Sequence, residues 1–255
     1  MKIVMVGSGN VATVLSELIY KAGHEIMQVV SRNVDHAVIL ASKYNVEGIA
    51  LTTPEFAEAD LYIIALSDAA LSSIDNISAL NNKFLVHTAG SVPMEIFSKI
   101  STNYGVLYPL QSLSKSIATI PKIPFLIEGN SPETRDQLMK FAGTISEEVI
   151  PANESERLNY HIAAIFTSNF TNHLYAVTEE FCSKERIDFK NLLPLINEVT
   201  LRINNNSPYD VQTGPAIRED IFTINRHLQK LTSFPDLKYL YLKLSESILK
   251  LHDKK

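Results

Sequence analysis

Ile3-Val4-Met5-Val6-Gly7-Ser8-Gly9-Asn10-Val11-Ala12 decides the fold: an apolar run, two glycines one residue apart, and the start of an apolar-periodic segment. An apolar run of this kind that ends in a glycine turn reads as a buried strand, and the residues beyond it read as a helix packed back on that strand. Gly7 can make the tight turn, Gly9 leaves room for a pyrophosphate to approach the backbone, and Ala12 is small enough for the helix to lie close. The exposed amides at the head of the helix, with the positive end of its dipole, form an anion site. Gly7, Ser8, Gly9, Asn10 and Val11 are therefore candidate cofactor-binding residues. Similar turns also join strands and helices in α/β proteins that bind nothing there, so the second strand provides the next test.

That strand is Glu25-Ile26-Met27-Gln28-Val29-Val30, and it runs out into Ser31-Arg32-Asn33, roughly 20 residues after the glycines. An NAD site places Asp or Glu there to accept from the ribose hydroxyls. This chain has neither at those positions. Ser31 and Asn33 supply neutral donors, and Arg32 supplies a permanently charged fork suited to a phosphate. The pattern predicts NADP, held through its 2′-phosphate; the alternative is a solvated strand exit with an incidental arginine.

Composition narrows the class. A chain of 255 residues suits one large or two modest domains with ample material for a core. The net charge of -5, without a dense Lys/Arg run, excludes a nucleic-acid footprint. Cys182 is the only cysteine, which rules out an internal disulfide and a cysteine-rich metal site; it reads as a small buried hydrophobe. No apolar stretch reaches the roughly 18 residues needed to span a membrane, and the chain enters its first strand without a signal-peptide pattern. The expected location is the cytoplasm, without membrane or metal.

Residues 1–150 alternate short apolar runs with helical or turn segments, the rhythm of a parallel sheet with crossover helices. Further strands are expected at 46–51, 61–66, 84–86, 106–107, 125–127 and 148–150. Ser131-Pro132 marks a helix start between the last two. Beyond Pro151 the character changes. Asn153 with Glu156 fits a capping box, and Leu158, Ile162, Ile165, Phe166, Phe170, Leu174, Val177 and Phe181 recur at helical spacing. One continuous helix is expected over about 154–184, followed by helices at 192–203, 217–231 and 237–251, so residues 151–255 form an all-helical second domain.

Ligands of open α/β sheets sit outside the carboxyl ends of the strands, which directs attention to the residues that follow each strand. Ser67-Asp68 follows the fourth, which ends at Leu66; all three are candidate cofactor-binding residues, with Asp68 read first as a helix cap. His87 follows the fifth and is the first candidate for proton transfer, with a turn-bound structural histidine as the alternative. Tyr108-Pro109-Leu110-Gln111 follows the sixth. On the long helix His161, Asn169 and His173 fall along one strip beside the apolar stripe and are the other catalytic candidates. The strip points either into an interdomain cleft or against another helix.

These features, with His87-Thr88-Ala89-Gly90, Tyr160-His161-Ile162-Ala163-Ala164, Ser168-Asn169 and Thr213-Gly214-Pro215 followed by Arg218 and Asp220, resemble the Rossmann-like proteins that carry the DUF2520 domain. That group is similar in its N-terminal half to pyrroline-5-carboxylate reductases and F420-dependent NADP oxidoreductases. The resemblance implies an α/β chain with an N-terminal Rossmann NADP-binding domain and a helical C-terminal dimerisation domain. Ala89, Tyr108 and Glu219 depart from the family pattern, which has Ser, His and Gly there. The expected function is an NADP-dependent oxidoreductase acting on a small molecule held between the domains, with Arg218 as a clamp for an anionic substrate. The alternatives are a non-catalytic NADP-binding or redox-sensing module and, more distantly, a methyltransferase. A homodimer through the helical domain is expected, because the long apolar stripe exceeds what one small domain readily covers.

Overall fold

The computed structural model describes residues 1–53, 55–116 and 119–253. It divides into two compact units, 1–169 and 170–255. The first unit is an eight-stranded sheet in the order β3-β2-β1-β4-β5-β6-β7-β8. Its strands are β1 (Lys2–Val6), β2 (Glu25–Ser31), β3 (Glu47–Ala50), β4 (Leu61–Ile64), β5 (Leu85–His87), β6 (Tyr104–Pro109), β7 (Phe125–Gly129) and β8 (Val149–Pro151). Helices α1 (Asn10–Lys21), α2 (Val34–Ser42), the short α3 (Asp68–Leu71), α4 (Pro132–Ile145) and α5 (Glu154–Ala164) complete it.

Strand alternation builds two core layers. Ile3 and Met5 of β1 and Leu61 and Ile63 of β4 pack with Leu15, Ile19, Leu40 and Phe141 on one face. Val4, Val6, Tyr62 and Ile64 pack with Leu71, Leu80 and Phe97 on the other. Strands buried on both faces are apolar throughout, which is why these runs show no polar alternation. The sheet is parallel from β3 through to β6, but β7 runs antiparallel to β6. This corrects the wholly parallel expectation. No described helix lies between β6 and β7, and a parallel return is usually made through a crossover helix, whereas an antiparallel neighbour needs none.

Strand order reverses at β1, with β2 on one side and β4 on the other. A crevice therefore opens at their carboxyl ends. Gly7 bridges the gap by donating its amide to Val30 at 2.7 Å, while Ala65 donates to Val6 at 2.7 Å.

The second unit contains α6 (Thr171–Lys184), α7 (Leu193–Arg202), α8 (Ile221–Lys230) and α9 (Pro235–His252). Helix α8 begins later than expected, because Asp220 caps it through the Thr223 amide at 3.0 Å and Glu219 before it holds φ +53. Among the described residues of this unit only Cys182, Ala216, Ile224 and Leu231 are buried hydrophobics. The expected helix over 154–184 is interrupted: residues Ile165–Phe170 are π-helical between α5 and α6. The division of the chain falls within that segment, 19 residues beyond the boundary expected at 150/151, because α5 is anchored to the sheet by Arg157, as detailed below.

Among the described residues no helix is long and apolar enough to cross a membrane, and no cluster of His, Cys, Asp or Glu is arranged to hold a metal ion.

Candidate active site

Two clefts in the first unit lie at the head of α1. The first, about 610 Å³, is lined by Gly7, Ser8, Gly9, Ser31, Arg32 and Asn33, with His36, Leu66, Ser67 and Lys115. Gly7 holds φ +132, and a Cβ there would stand 2.3 Å from the Ala65 carbonyl oxygen, so the fold itself requires glycine. Gly9 is different. It caps α1 in extended backbone, and a Cβ placed on it would meet nothing within 4 Å. The head of α1 has no side-chain cap and no acidic residue in its first turn, so amides and dipole are left for an anion.

Around this cradle the polar groups are arranged for a phosphorylated ligand. Ser8 and Ser31 share a hydroxyl hydrogen bond of 2.8 Å. Arg32 is exposed and makes no ion pair among the described residues. Asn33 uses its side-chain oxygen to cap α2, accepting from the His36 amide at 3.2 Å. His36 and Lys115 join Arg32 on the wall, and neither stood out in the sequence. Lys115 lies 105 residues from the glycine turn, brought there by its amide, which donates to Asn10 Oδ1 at 3.1 Å. The Asn10 side chain is thus already engaged.

The second cleft, about 510 Å³, is lined by Val11 of α1, by Thr88, Tyr108 and Leu110 at the ends of β5 and β6, and by His161, Ser168 and Asn169. Tyr108 Oη and His161 Nδ1 share a hydrogen bond of 2.9 Å. Gly90 makes room for this pair, because a Cβ there would stand 2.6 Å from His161 Nδ1 and 3.0 Å from Tyr108 Cζ. Burial, reinforced by the Asp68 charge, pushes the Tyr108 phenol above its usual pKa and keeps it protonated at neutral pH. The sequence placed Tyr108 at a strand end but gave no sign that His161, 53 residues on, would meet it.

His87 is elsewhere. It is fully buried, its ring 5.7 Å from that of Phe97, and it does not line the cleft; its neighbour Thr88 does. The central position of β5 in the sheet buries both of its faces, so His87, the first candidate for proton transfer, is closed off from this cleft and takes the place of the structural histidine named as the alternative. Nδ1 accepts from the Ala89 amide at 3.2 Å, and Nε2 has no partner among the described residues. Burial, then the Arg157 charge, lower its pKa from 6.5 to about 4. The sign follows: the unfolded chain binds the proton more readily, so stability declines as pH falls from about 6.5 toward 4. Urea unfolding is expected to lose roughly 2 kcal/mol between pH 7.5 and pH 5 from this group. His87→Gln should flatten that part of the profile, and an unchanged slope would refute the attribution.

Asp68 is not the cap, since Ser67 holds the N-cap position; the carboxylate accepts from Ser91 Oγ at 2.5 Å and does not line the glycine cleft. His161 and Asn169 are brought together in one cleft. His173 lines another cavity, with Val177, Glu180, Phe181 and Lys184 in the second unit. The intervening π segment holds more residues per turn than an α-helix, so the expected strip loses its phase before residue 173. Arg218 is exposed, borders neither cleft, and lies close enough to Asp220 to add to the hydrogen bonds from Thr223 that lower that carboxyl's pKa.

Known proteins share this fold. Residues 2–90 match the family described as NADP oxidoreductase, coenzyme F420-dependent, and residues 123–248 match the domain of unknown function DUF2520. The chain is 38% identical to a Bacteroides fragilis protein whose crystal structure is described as that of a "putative NADP oxidoreductase", with 98% of each chain covered and a TM-score of 0.89. A Thermotoga maritima protein is 22% identical with a TM-score of 0.80, covering 99% of this chain and 100% of that one. A 1-pyrroline-5-carboxylate reductase from Streptococcus pyogenes shares the fold at 12% identity, with a TM-score of 0.65 and 98% of each chain covered. No curated protein matches.

Proposed function

The chain belongs to the family of NADP oxidoreductases represented by the Bacteroides fragilis protein, and from that premise we propose that it moves a hydride between NADP and a small carbonyl or imine compound. The observation that carries the reading is the pair of clefts at the head of α1: Gly7, Ser8 and Gly9 line the first, and Val11, in the first turn of the helix, lines the second. The open space at Gly9 and the uncapped head of α1 fit a pyrophosphate, while Arg32, His36 and Lys115 fit the 2′-phosphate. A bound nicotinamide supplies or accepts the hydride.

The protein's part is to hold the substrate and move a proton. Tyr108, kept as the phenol, donates to the substrate heteroatom, and His161 at 2.9 Å restores the proton to the phenol oxygen. Thr88, Ser168 and Asn169 supply the other polar contacts, and Val11, Leu110 and Ala164 limit water. Oxidation of NADPH measured against a library of carbonyl and imine compounds tests the reading. Tight NADPH binding without turnover of any member would favour a non-catalytic NADP-binding module.

Arg32→Ala is expected to weaken NADPH binding by about 1.5–3 kcal/mol, roughly 10- to 150-fold, and to leave NADH binding nearly unchanged. Calorimetry with both nucleotides checks this, and equal losses would remove Arg32 from the phosphate site.

A homodimer joined through the helical unit is part of the same proposal. Leu201 is 65% exposed and Phe222 73%, and Leu195, Val199 and Tyr239 are also exposed. With so few buried hydrophobics of its own, this unit presents the apolar surface that a closed two-fold assembly covers. Sedimentation at micromolar concentration should report a dimer that Leu201→Glu or Phe222→Glu dissociates; a compact monomer of 28.4 kDa would contradict it.

A further inference from the structure

Arg157 is the largest fully buried side chain among the described residues, and neither cleft uses it. One arm of its guanidinium donates to Glu128 Oε2, and the other donates to the Val92 carbonyl at 2.7 Å. The second oxygen of the same carboxylate accepts from the Glu154 amide, the first of α5, at 3.1 Å. A carboxylate at the end of β7 thus grips α5 twice within one turn, and the arginine ties the helix to the segment that follows β5.

These contacts form a register. Glu128 pairs with Val106 across the β6–β7 ladder, and Tyr108 lies two residues along β6 on the same face. Two strand residues advance about 6.8 Å. Arg157 and His161 lie four residues apart on one face of α5, a rise of about 6 Å. The strand step and the helix step match, so when Arg157 meets Glu128, His161 arrives at Tyr108. The segment held through Val92 is also the one carrying Gly90, whose missing Cβ admits the imidazole.

We infer that Arg157 is a positioning residue: clamped between Glu128 and the Val92 carbonyl, it sets the register of α5 that brings His161 to Tyr108. The inference deepens the proposed role of that pair and rests on it for its catalytic meaning. Burying an arginine is costly and by itself poor evidence of stabilisation, whereas a planar fork meeting two acceptors fixes direction as well as distance. A lysine carries its three donors on a single nitrogen, so it lacks the planar fork whose two arms here reach separate acceptors.

The test reads the histidine ring directly and needs no substrate. In protein labelled with ¹⁵N-histidine, His161 signals are assigned by their loss in His161→Gln, and Tyr108→Phe defines the signature of the broken pair. Arg157→Met is expected to displace the His161 ring-nitrogen signals as Tyr108→Phe does, and Arg157→Lys to displace them part of the way. Arg157→Met combined with Tyr108→Phe should add no further displacement, because both act on one contact. NADPH affinity, followed by fluorescence, should stay within about twofold in the Arg157 variants. Should Arg157→Met fail to fold, Arg157→Lys carries the comparison. Wild-type His161 signals in a folded Arg157 variant, or additive displacement in the double variant, would overturn the inference. Failure of the proposed reductase activity would appear separately, as absent NADPH turnover with the ring signals still responding to Arg157.

Discussion

Gly9→Val is expected to abolish NADPH binding while the fold stands. Gly9 lies in extended backbone at φ -82, which valine readily adopts, and its Cβ would enter open space. No described atom beyond its chain neighbours lies within 4 Å of that Cβ. The isopropyl group would instead fill the volume through which a pyrophosphate must approach the amides of α1, and those contacts are all-or-none at this range. An affinity loss of at least 100-fold, about 2.7 kcal/mol, is expected by fluorescence titration, with an unchanged urea midpoint. Gly7→Ala is the opposite control. Its Cβ would collide with the Ala65 carbonyl in a left-handed backbone, so it should lower stability. Full nucleotide affinity in Gly9→Val would make the turn a purely structural joint.

The second large effect is expected at the hydroxyl–imidazole pair. With a substrate that the wild-type protein turns over, Tyr108→Phe should lower kcat by about 10²- to 10⁴-fold, the range for loss of a positioned proton donor. The hydroxyl is the only group removed, so NADPH affinity should not move. His161→Gln should cost less, because the phenol remains in place, and the two changes together should cost little more than Tyr108→Phe alone. A Tyr108→Phe protein with near-wild-type kcat would shift proton transfer to another group, with Ser168 and Thr88 next to be tried.

How much of this could be read in advance depended on whether the determinant was local. The Gly7–Ala12 turn, the Asn153–Glu156 capping box and the Ser131 cap of α4 are each settled within a few residues, and each forms in the structure. The reversal of β7 depended on what the preceding loop lacks, and a strand pattern carries no direction. His87 was misplaced because a residue at a strand end reads as exposed until the neighbours on both faces are known. Lys115 and His161 join their clefts through contacts 105 and 53 residues distant, for which a single sequence holds no signal. Arg157 is harder still, since an arginine inside a helix ordinarily reads as a solvated surface charge.

Gly90 also constrains how this protein can diverge. The imidazole at 161 occupies the volume that any side chain at 90 would need, so the two positions cannot drift independently. A lineage that lost the imidazole could admit alanine at 90 once the Tyr108 ring, 3.0 Å from that Cβ, gave way slightly, and would then be barred from regaining the imidazole by a single substitution. Such a step works as a ratchet: descendants on the far side would keep the glycine turn and the cofactor cradle but would have to rebuild proton delivery from other groups around the same cleft.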